Sequence, residues 1–454
     1  MSDGFPGSAG RPMGQDAPAL GIYAKSAAGR PDKGEFDRRR GVHGPGQHRR
    51  WKLHRQAARL FKDIEARPDR YGEPRAHFRY RVAMCCRGTT GQPPTIRRSP
   101  DGNRADYHGL QRCGSVWICP LCAPKIAARR RDEGNIAIAR WGTGHQGETG
   151  GVYFLTFTFQ HDRDTGGEGQ LKAQLGRLAD ALRRLKGTRA YRALMDRISA
   201  KGEIRALEVT YGEFAGWHPH SHAIVFCRRQ AMPELRKLRG LWARELIARG
   251  LAGLELGDIG VDRFRKLRHL LLHCFQVQPG AFAADYLAKF GREPEGERGR
   301  WSLSAELTHG HLKRGRGDRD GTPSRCEHAS MWELLNDALD GDRRSADLFR
   351  EFGEAFHGRR QLYWSKGLRA FFGIDELEDE AIAAEPDREC TEHVIQLDTY
   401  QWANTIAHDA RHDVLCAAAS GGRQAVLELL AELATRAPPY SGYYTEAASW
   451  EKHH

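Results

Sequence analysis

The stretch Gly216-Trp217-His218-Pro219-His220-Ser221-His222 carries the strongest signal in the sequence. Proline cannot donate to a ladder, so Pro219 is expected to mark the entry to a strand over residues 220–226. Side chains alternate between the two faces of a strand, which places His220 and His222 on one face. Two imidazoles two residues apart can hold one divalent cation, since neutral imidazole is the commonest metal ligand.

A third ligand is available on the preceding predicted strand, residues 204–211. Glu208 stands there among apolar neighbours, where a carboxylate is costly unless it is paired or metal-bound. If the two strands form a hairpin, Glu208 approaches both histidines. The alternative is that these histidines are hydrogen-bonded surface groups, but Glu208 on the neighbouring strand favours a metal site. His218 is less favoured as a ligand because it lies outside the alternation.

The sequence around this hairpin alternates between strand and helix patterns. Residues 152–159 are rich in β-branched and aromatic side chains and predict a strand. Leucines recur on one face over residues 170–186, which predicts a helix. Pro233 opens a further predicted helix that continues to Leu246. The order β–α–β–β–α predicts an α+β fold with a partly antiparallel sheet.

Cysteines cluster upstream of these elements. Cys119-Pro120-Leu121-Cys122 is a C-x2-C knuckle, and Cys113 lies close before it. Four thiolates, with one residue of the pair Cys85-Cys86, or three thiolates with His108, suit a tetrahedral structural zinc site. The preferred set is Cys86, Cys113, Cys119 and Cys122, and the choice between Cys85 and Cys86 stays open. Free buried thiols are the alternative.

Downstream, Tyr286 and Lys289 lie in a helix-compatible stretch and share a face. A tyrosine hydroxyl can act as a nucleophile if a metal or a cation stabilises its oxyanion. Taken alone, such a pair more often indicates packing and solvation.

Composition and charge limit the function classes. The 454 residues carry 71 basic and 58 acidic side chains, a net charge of +13, which favours a polyanionic partner such as nucleic acid. Apolar residues make up 40%, so collagen, coiled-coil and fully disordered chains are excluded. No apolar run reaches the roughly 20 residues of a membrane span. The N-terminus lacks a signal-peptide pattern, so we expect a cytoplasmic protein without a membrane partner.

Composition also predicts five segments. Residues 1–77 read as a basic, partly disordered arm in which Arg38, Arg39, Arg40, Arg49 and Arg50 contact DNA; a solvated tail is the alternative. A cysteine-rich region over 78–150 precedes the core domain at 151–295. A polar loop spans 296–330. Residues 331–454 are expected to be helical, with Ser345 as an N-cap and an acidic stretch over 373–392 that forms a solvated linker or a charged surface.

Together these motifs resemble rolling-circle replication initiator (Rep) proteins of plasmids, within the HUH endonuclease superfamily. Residues 154–159 are similar to the first motif strand, 216–222 to the metal-binding motif, and 286–289 to the motif that carries the nucleophile. Trp117-Ile118-Cys119-Pro120-Leu121-Cys122 and residues 361–368 are also typical of these initiators. The match extends over roughly residues 78 to 435.

The resemblance implies a central antiparallel sheet with packed helices. It implies that His220, His222 and Glu208 hold Mg²⁺ or Mn²⁺, that Tyr286 attacks a DNA phosphodiester, and that Lys289 positions the phosphate or metal. The product is a 5′-phosphotyrosine and a 3′-OH primer, which a later 3′-OH can religate. The double-stranded origin, its single-stranded nick site, and a host helicase and polymerase are the implied partners.

Some questions stay open at this level. Some relatives carry a Glu one turn before the tyrosine to terminate replication, and this chain has Phe282 there, so the route of termination is undefined. A relaxase or single-strand transposase would share the chemistry. A zinc-dependent nucleic-acid-binding protein without catalysis would need only the cysteines and the basic arm. The oligomeric state cannot be read from the sequence.

Overall fold

The computed structural model describes residues 45–62, 64–68, 74–78, 80–148, 150–160, 169–212, 216–254, 257–280 and 328–436. Within this part the fold is α+β, with antiparallel sheets and many helices. Several sequence predictions lie outside the described residues. These are Tyr286, Lys289, the arginines Arg38, Arg39 and Arg40, and the polar loop up to residue 327.

A central six-stranded sheet has the order β10-β6-β7-β5-β8, with β9 paired to β6. Every pair in it is antiparallel. Its strands are β5 (Gly151–Phe157), β6 (Gly202–Gly212), β7 (Gly216–Cys227), β8 (Phe275–Pro279), β9 (His328–Ala329) and β10 (Leu362–Trp364). The two strands β6 and β7 form the predicted hairpin, which lies inside the sheet between β10 and β5.

Both faces of the central sheet are covered, and the alternation of its strands decides which residues lie on each. Leu207 and Val225 belong to the large core shared with the helices of one face. Ala206 and Ile224 belong to a smaller cluster on the other face with Trp141. Because residues one apart point to opposite faces, this two-sided burial fixes the register of the hairpin.

Helices surround the sheet. The first seven are α1 (Pro45–Leu60), α2 (Ala123–Thr143), α3 (Gln170–Gly187), α4 (Arg189–Arg197), α5 (Met232–Arg236), α6 (Leu238–Ala248) and α7 (Gly260–His273). Those after β9 are α8 (Met331–Leu339), α9 (Arg343–Phe356), α10 (Leu368–Phe371), α11 (Asp379–Ala384), α12 (Thr399–Ala407) and α13 (Arg411–Thr435). The single helix predicted after Pro233 is divided into α5 and α6 at Lys237.

The C-terminal region is not purely helical, contrary to the sequence prediction. Its strand β10 pairs with β6 and extends the central sheet. A further strand, β11 (Glu392–Gln396), pairs with β3 (Thr95–Arg98), which in turn pairs with β4 (Ala105–His108). A separate two-stranded ribbon joins β1 (Ile64–Pro68) to β2 (Pro74–Phe78). The strands β10 and β11 are short, and their pairing depends on partners distant in sequence.

The predicted N-terminal arm is ordered over its last part. Helix α1 buries Leu53, Ala57 and His54 completely, and Phe61 follows it into the core. The helix has an apolar stripe at i, i+4 spacing among its basic residues. Because the average hydrophobicity of the segment is low, composition alone did not predict a packed helix.

The structure decides two further predictions for the C-terminal region. The acidic stretch contains α11, whose Ile382 is buried and whose Asp379 pairs with Arg130 at 2.6 Å. Of the two predicted alternatives, the stretch is therefore a docked, charged surface and not a solvated linker. The N-cap of α9 is Asp342 and not Ser345, because the Asp342 carboxylate accepts hydrogen bonds from the backbone N–H groups of Arg344 and Ser345.

One helix of the described chain, α13, is long and apolar enough to cross a membrane by length and composition alone. A core helix of a soluble protein passes the same test. Val414 and Val426 of α13 are wholly buried, and Gly422 interrupts its helical dihedrals. This is weak support for a membrane span.

The contact between Phe61, which follows α1, and Gly353 of α9 can be tested by mutation. A Cβ on Gly353 of α9 would overlap the Phe61 ring and lie 3.0 Å from Ile118 Cγ2, whereas a Cβ on Gly176 of α3 meets nothing. We expect Gly353→Ala to lower the free energy of unfolding by about 1–3 kcal/mol through overpacking. We expect Gly176→Ala to leave it unchanged or raise it by up to about 1 kcal/mol. Urea denaturation measures both, and equal effects would contradict the packing described.

Candidate metal centres

The first candidate centre lies on the β6–β7 hairpin. The register sets Glu208 opposite His220 and Ala206 opposite His222, so all three ligand candidates share the face that carries Ala206. Ala206 belongs to the smaller hydrophobic cluster. The candidate centre therefore lies at the edge of that cluster, and Glu208 remains half-buried.

The three side chains converge as the sequence predicts. Glu208 Oε2 lies 3.1 Å from His222 Nε2 and 3.5 Å from His220 Nε2. Burial works to raise the pKa of the Glu208 carboxyl, but hydrogen bonds and charge from His220 and His222 outweigh it and hold that pKa well below its usual value. The carboxylate is therefore ionised, as metal ligation requires.

The other nitrogen of each imidazole is held by the protein. His220 Nδ1 lies 3.1 Å from the backbone carbonyl of His218, which can only accept, so Nδ1 donates and Nε2 is the nitrogen that faces Glu208. His222 Nδ1 lies 3.0 Å from Thr156 Oγ1 of β5, and the ring stacks on Phe154 with centroids 5.0 Å apart. Such outer partners fix the ring orientation of metal-binding histidines.

These distances fit a divalent ion. Ligand bonds of about 2.1 Å at right angles place neighbouring donor atoms about 3.0 Å apart. The carboxylate suits hard cations such as Mg²⁺ and Mn²⁺, and the two imidazoles suit borderline cations such as Zn²⁺, so the donor set does not identify the metal. Glu208, His220 and His222 form a group that can hold a divalent ion.

Two details of the sequence prediction are corrected. Strand β7 begins at Gly216, so Pro219 lies inside it. This is tolerated because β5 ends at Phe157, opposite Ser221, and the stretch of β7 around Pro219 pairs with β6 alone. His218 consequently lies within the alternation, with its ring centroid 5.3 Å from that of His220. It stands outside the group of three ligand atoms.

Sequence reasoning missed the supporting residues of this centre. Thr156 and Phe154 lie two residues apart on β5, a segment that the sequence predicted only as a strand. Their period-2 spacing was the available signal, since it places both on one face. Which strand they neighbour depends on the sheet order, which periodicity alone does not give.

The second candidate centre is a buried group of four cysteines, Cys85, Cys113, Cys119 and Cys122. Their Sγ atoms are separated by 3.5 Å (Cys85–Cys122), 3.6 Å (Cys85–Cys119) and 3.7 Å (Cys113–Cys122). A disulfide needs a sulfur separation near 2.0 Å. Four Zn–S bonds of about 2.3 Å in a tetrahedron place sulfur atoms about 3.8 Å apart. The group can therefore hold a metal such as zinc.

The fourth cysteine of the group is Cys85. The prediction that the Cys86 side chain lies in the group is therefore wrong. Cys86 has a positive φ of 54° and donates its N–H to the Gln111 carbonyl, which turns its side chain out of the group. The Arg112 guanidinium lies 2.9 Å from Cys86 Sγ instead. The side chains of consecutive residues point in different directions, so the loop conformation decides whether Cys85 or Cys86 enters the cysteine group.

Two buried arginines supply positive charge beside the cysteines. Four thiolates around one Zn²⁺ carry a net charge of −2, which is costly in a buried site without counter-charge. The side chain of Arg112 is 9% exposed and that of Arg411 only 1%. Arg411 donates to the Cys86 carbonyl at 3.1 Å and lies over the Trp51 ring. The metal group is thus tied to α1 and α13.

The basic residues predicted to contact DNA are only partly described. Arg49 donates to the Asn336 side chain and pairs with Asp340 at 3.1 Å, so its charge is engaged within the protein. Arg50 is half-buried on α1. Both residues thus belong to a packed helix rather than to a solvated tail, and their contact with DNA stays a prediction.

Comparison with known proteins gives two matches. The chain is 28% identical over 333 residues to a protein named Protein rep from Streptomyces lividans, which covers 60% of this chain and 66% of that protein. It is 35% identical over 148 residues to a Neomycin resistance protein from Streptomyces cyanogenus, covering 26% of this chain and 30% of that protein. The chain thus spans just under two thirds of the first relative's length. No known family profile and no solved structure match it.

The cysteine geometry gives a direct test. We expect Cys85→Ser to lose most bound zinc and to destabilise the fold, because it removes one of four ligands. The matched variant Cys86→Ser should keep one zinc per chain. Metal analysis of both purified proteins by mass spectrometry measures this. Zinc loss from Cys86→Ser with retention in Cys85→Ser would restore the original choice of ligand.

Proposed function

We propose that this chain is a rolling-circle plasmid replication initiator of the HUH endonuclease class. The observation that carries the proposal is the convergence of Glu208, His220 and His222 on adjacent antiparallel strands. The similarity to Protein rep of Streptomyces lividans supports a plasmid replication protein, with 28% identity over 60% of this chain. Proteins of this kind bind DNA, and the net charge of +13 suits that partner.

The proposed reaction is a transesterification on DNA. A divalent ion held by Glu208, His220 and His222 would stabilise the negative charge that develops on the scissile phosphate. The Tyr286 oxygen attacks the phosphorus and forms a new ester, while the bond to the 3′ oxygen breaks. The tyrosine proton leaves to solvent and the 3′ oxygen gains one. Lys289 orients the phosphate. The products are a 5′-phosphotyrosine and a 3′-OH primer.

The position of β8 allows the nucleophile to reach the centre. Pro279 of β8 lies opposite Tyr153 of β5, and Thr156 lies three residues further along β5, about 10 Å away. Tyr286 follows Gly280 by six residues, which span at most about 20 Å when extended. The chain length between β8 and Tyr286 is therefore sufficient for the hydroxyl to approach His222.

The reverse reaction follows from the same residues. A free 3′-OH can attack the phosphotyrosine, restore a phosphodiester and release Tyr286, because the energy of the broken bond is kept in the enzyme–DNA ester. No nucleotide cofactor is then needed for religation. A relaxase or a single-strand transposase would use this chemistry too, and the similarity to Protein rep favours replication.

The experiment is an adduct assay with single-stranded DNA from the replicon's intergenic region and Mn²⁺. We expect a protein–DNA adduct that survives denaturation, and its loss with EDTA or with Tyr286→Phe. His222→Ala should reduce adduct yield at least a hundredfold, since it removes a metal ligand.

A matched control uses Tyr363→Phe, because Tyr363 is a partly exposed tyrosine on β10 away from the centre. It should give the wild-type yield of adduct. Adduct formation by Tyr286→Phe would disprove the nucleophile assignment. DNA binding without cleavage across the whole replicon would favour the non-catalytic zinc protein instead.

A further inference from the structure

A basic groove lies on the far side of the molecule from the Glu208 centre. It has a volume of about 530 Å³ and runs between α4 and α6. Helix α6 packs its Trp242 on Phe157, with ring centroids 5.5 Å apart. Phe157 follows Thr156 on β5 and so points to the opposite face of the sheet. The groove and the candidate metal centre are thus on opposite sides of the sheet.

Matching positions on the two helices form the groove. Leu194 and Leu241 line the groove between the helices, and the exposed Ala190, Ala193 and Gly240 beside them leave it open. Arg197, Lys237 and Arg244 line the same valley and are exposed. The spacing of three to four residues in each helix puts these side chains on one face.

The groove has an excess of positive charge. Helices α4 to α6, with Lys237 between them, carry seven basic and three acidic side chains. Glu234 and Glu245 are engaged by Arg228 at 3.1 Å and Arg249 at 2.5 Å, which leaves Asp196 as the remaining carboxylate. Within the described chain, the three groove cations form no ion pair with a carboxylate.

The dimensions suit a nucleic acid backbone. The stripe from Ala190 to Arg197 is about 10 Å long, which is about three base-pair steps of duplex DNA. The exposed small residues leave room for a phosphate to approach, and the flanking cations can neutralise two or three phosphates. Contacts of this kind fix position on a duplex without reading its sequence.

We propose that the α4–α6 groove binds the sugar–phosphate backbone of duplex DNA, at a site separate from the nicking centre. The identification of the ligand as DNA rests in part on the proposed function. The groove would hold the origin duplex beside the molecule while the extruded single strand reaches the opposite face. Affinity and cleavage would then depend on different residues.

The test compares two triple variants of the full chain. The groove variant is Arg197→Gln/Lys237→Gln/Arg244→Gln. The control is Lys172→Gln/Arg343→Gln/Arg423→Gln, which removes the same charge from exposed positions outside the groove. Fluorescence anisotropy measures binding of a 30-base-pair duplex over a salt series. Thermal unfolding and zinc content verify that both variants are folded.

The groove variant should bind duplex DNA at least tenfold more weakly at 0.1 M salt, and its slope of log K against log salt should fall by about 2 to 3. The control should change both quantities far less. Equal behaviour of the two triples would overturn the proposal, even if the wild-type protein forms the adduct. Loss of duplex binding in the groove variant alone would support it, even if no adduct forms on any DNA.

Discussion

The register of the β6–β7 hairpin is the constraint on which the candidate centre depends. Glu208 and His220 face each other across the two strands, and His222 follows on the same face. A slip of one residue would turn these side chains into the large core and expose Leu207. Burial on both faces of the sheet makes such a slip costly, so the hydrophobic pattern itself positions the ligands.

The cysteine group is a second structural constraint. Contacts between segments distant in sequence connect it to the β6–β7 hairpin. Arg411 of α13 contacts both the Cys86 carbonyl, next to Cys85 of the group, and the Trp51 ring of α1. Strand β10 then reaches back to β6, the strand that carries Glu208. Segments from both ends of the described chain thus stabilise the hairpin. Loss of metal from the cysteines is therefore expected to affect the distant centre through folding.

Local patterns in the sequence were sufficient for the hairpin, the strand β5, the leucine helix α3 and the three ligand candidates of the first centre. They were insufficient wherever the outcome depends on a distant partner. The choice of Cys85 over Cys86 follows from a positive φ at Cys86. The strands β10 and β11 have three and five residues and exist because β6 and β3 offer free edges. The packed face of α1 was hidden among arginines, since charge dominates its average hydrophobicity.

The central claim is that Glu208, His220 and His222 hold a divalent ion where a tyrosine can reach DNA. The most direct measurement is anomalous X-ray diffraction from crystals of the full chain grown with Mn²⁺. We expect one manganese peak within about 2.3 Å of His220 Nε2, His222 Nε2 and a Glu208 oxygen, with the Tyr286 hydroxyl close to it. A centre without manganese, with Glu208 hydrogen-bonded to both histidines at saturating Mn²⁺, would contradict it.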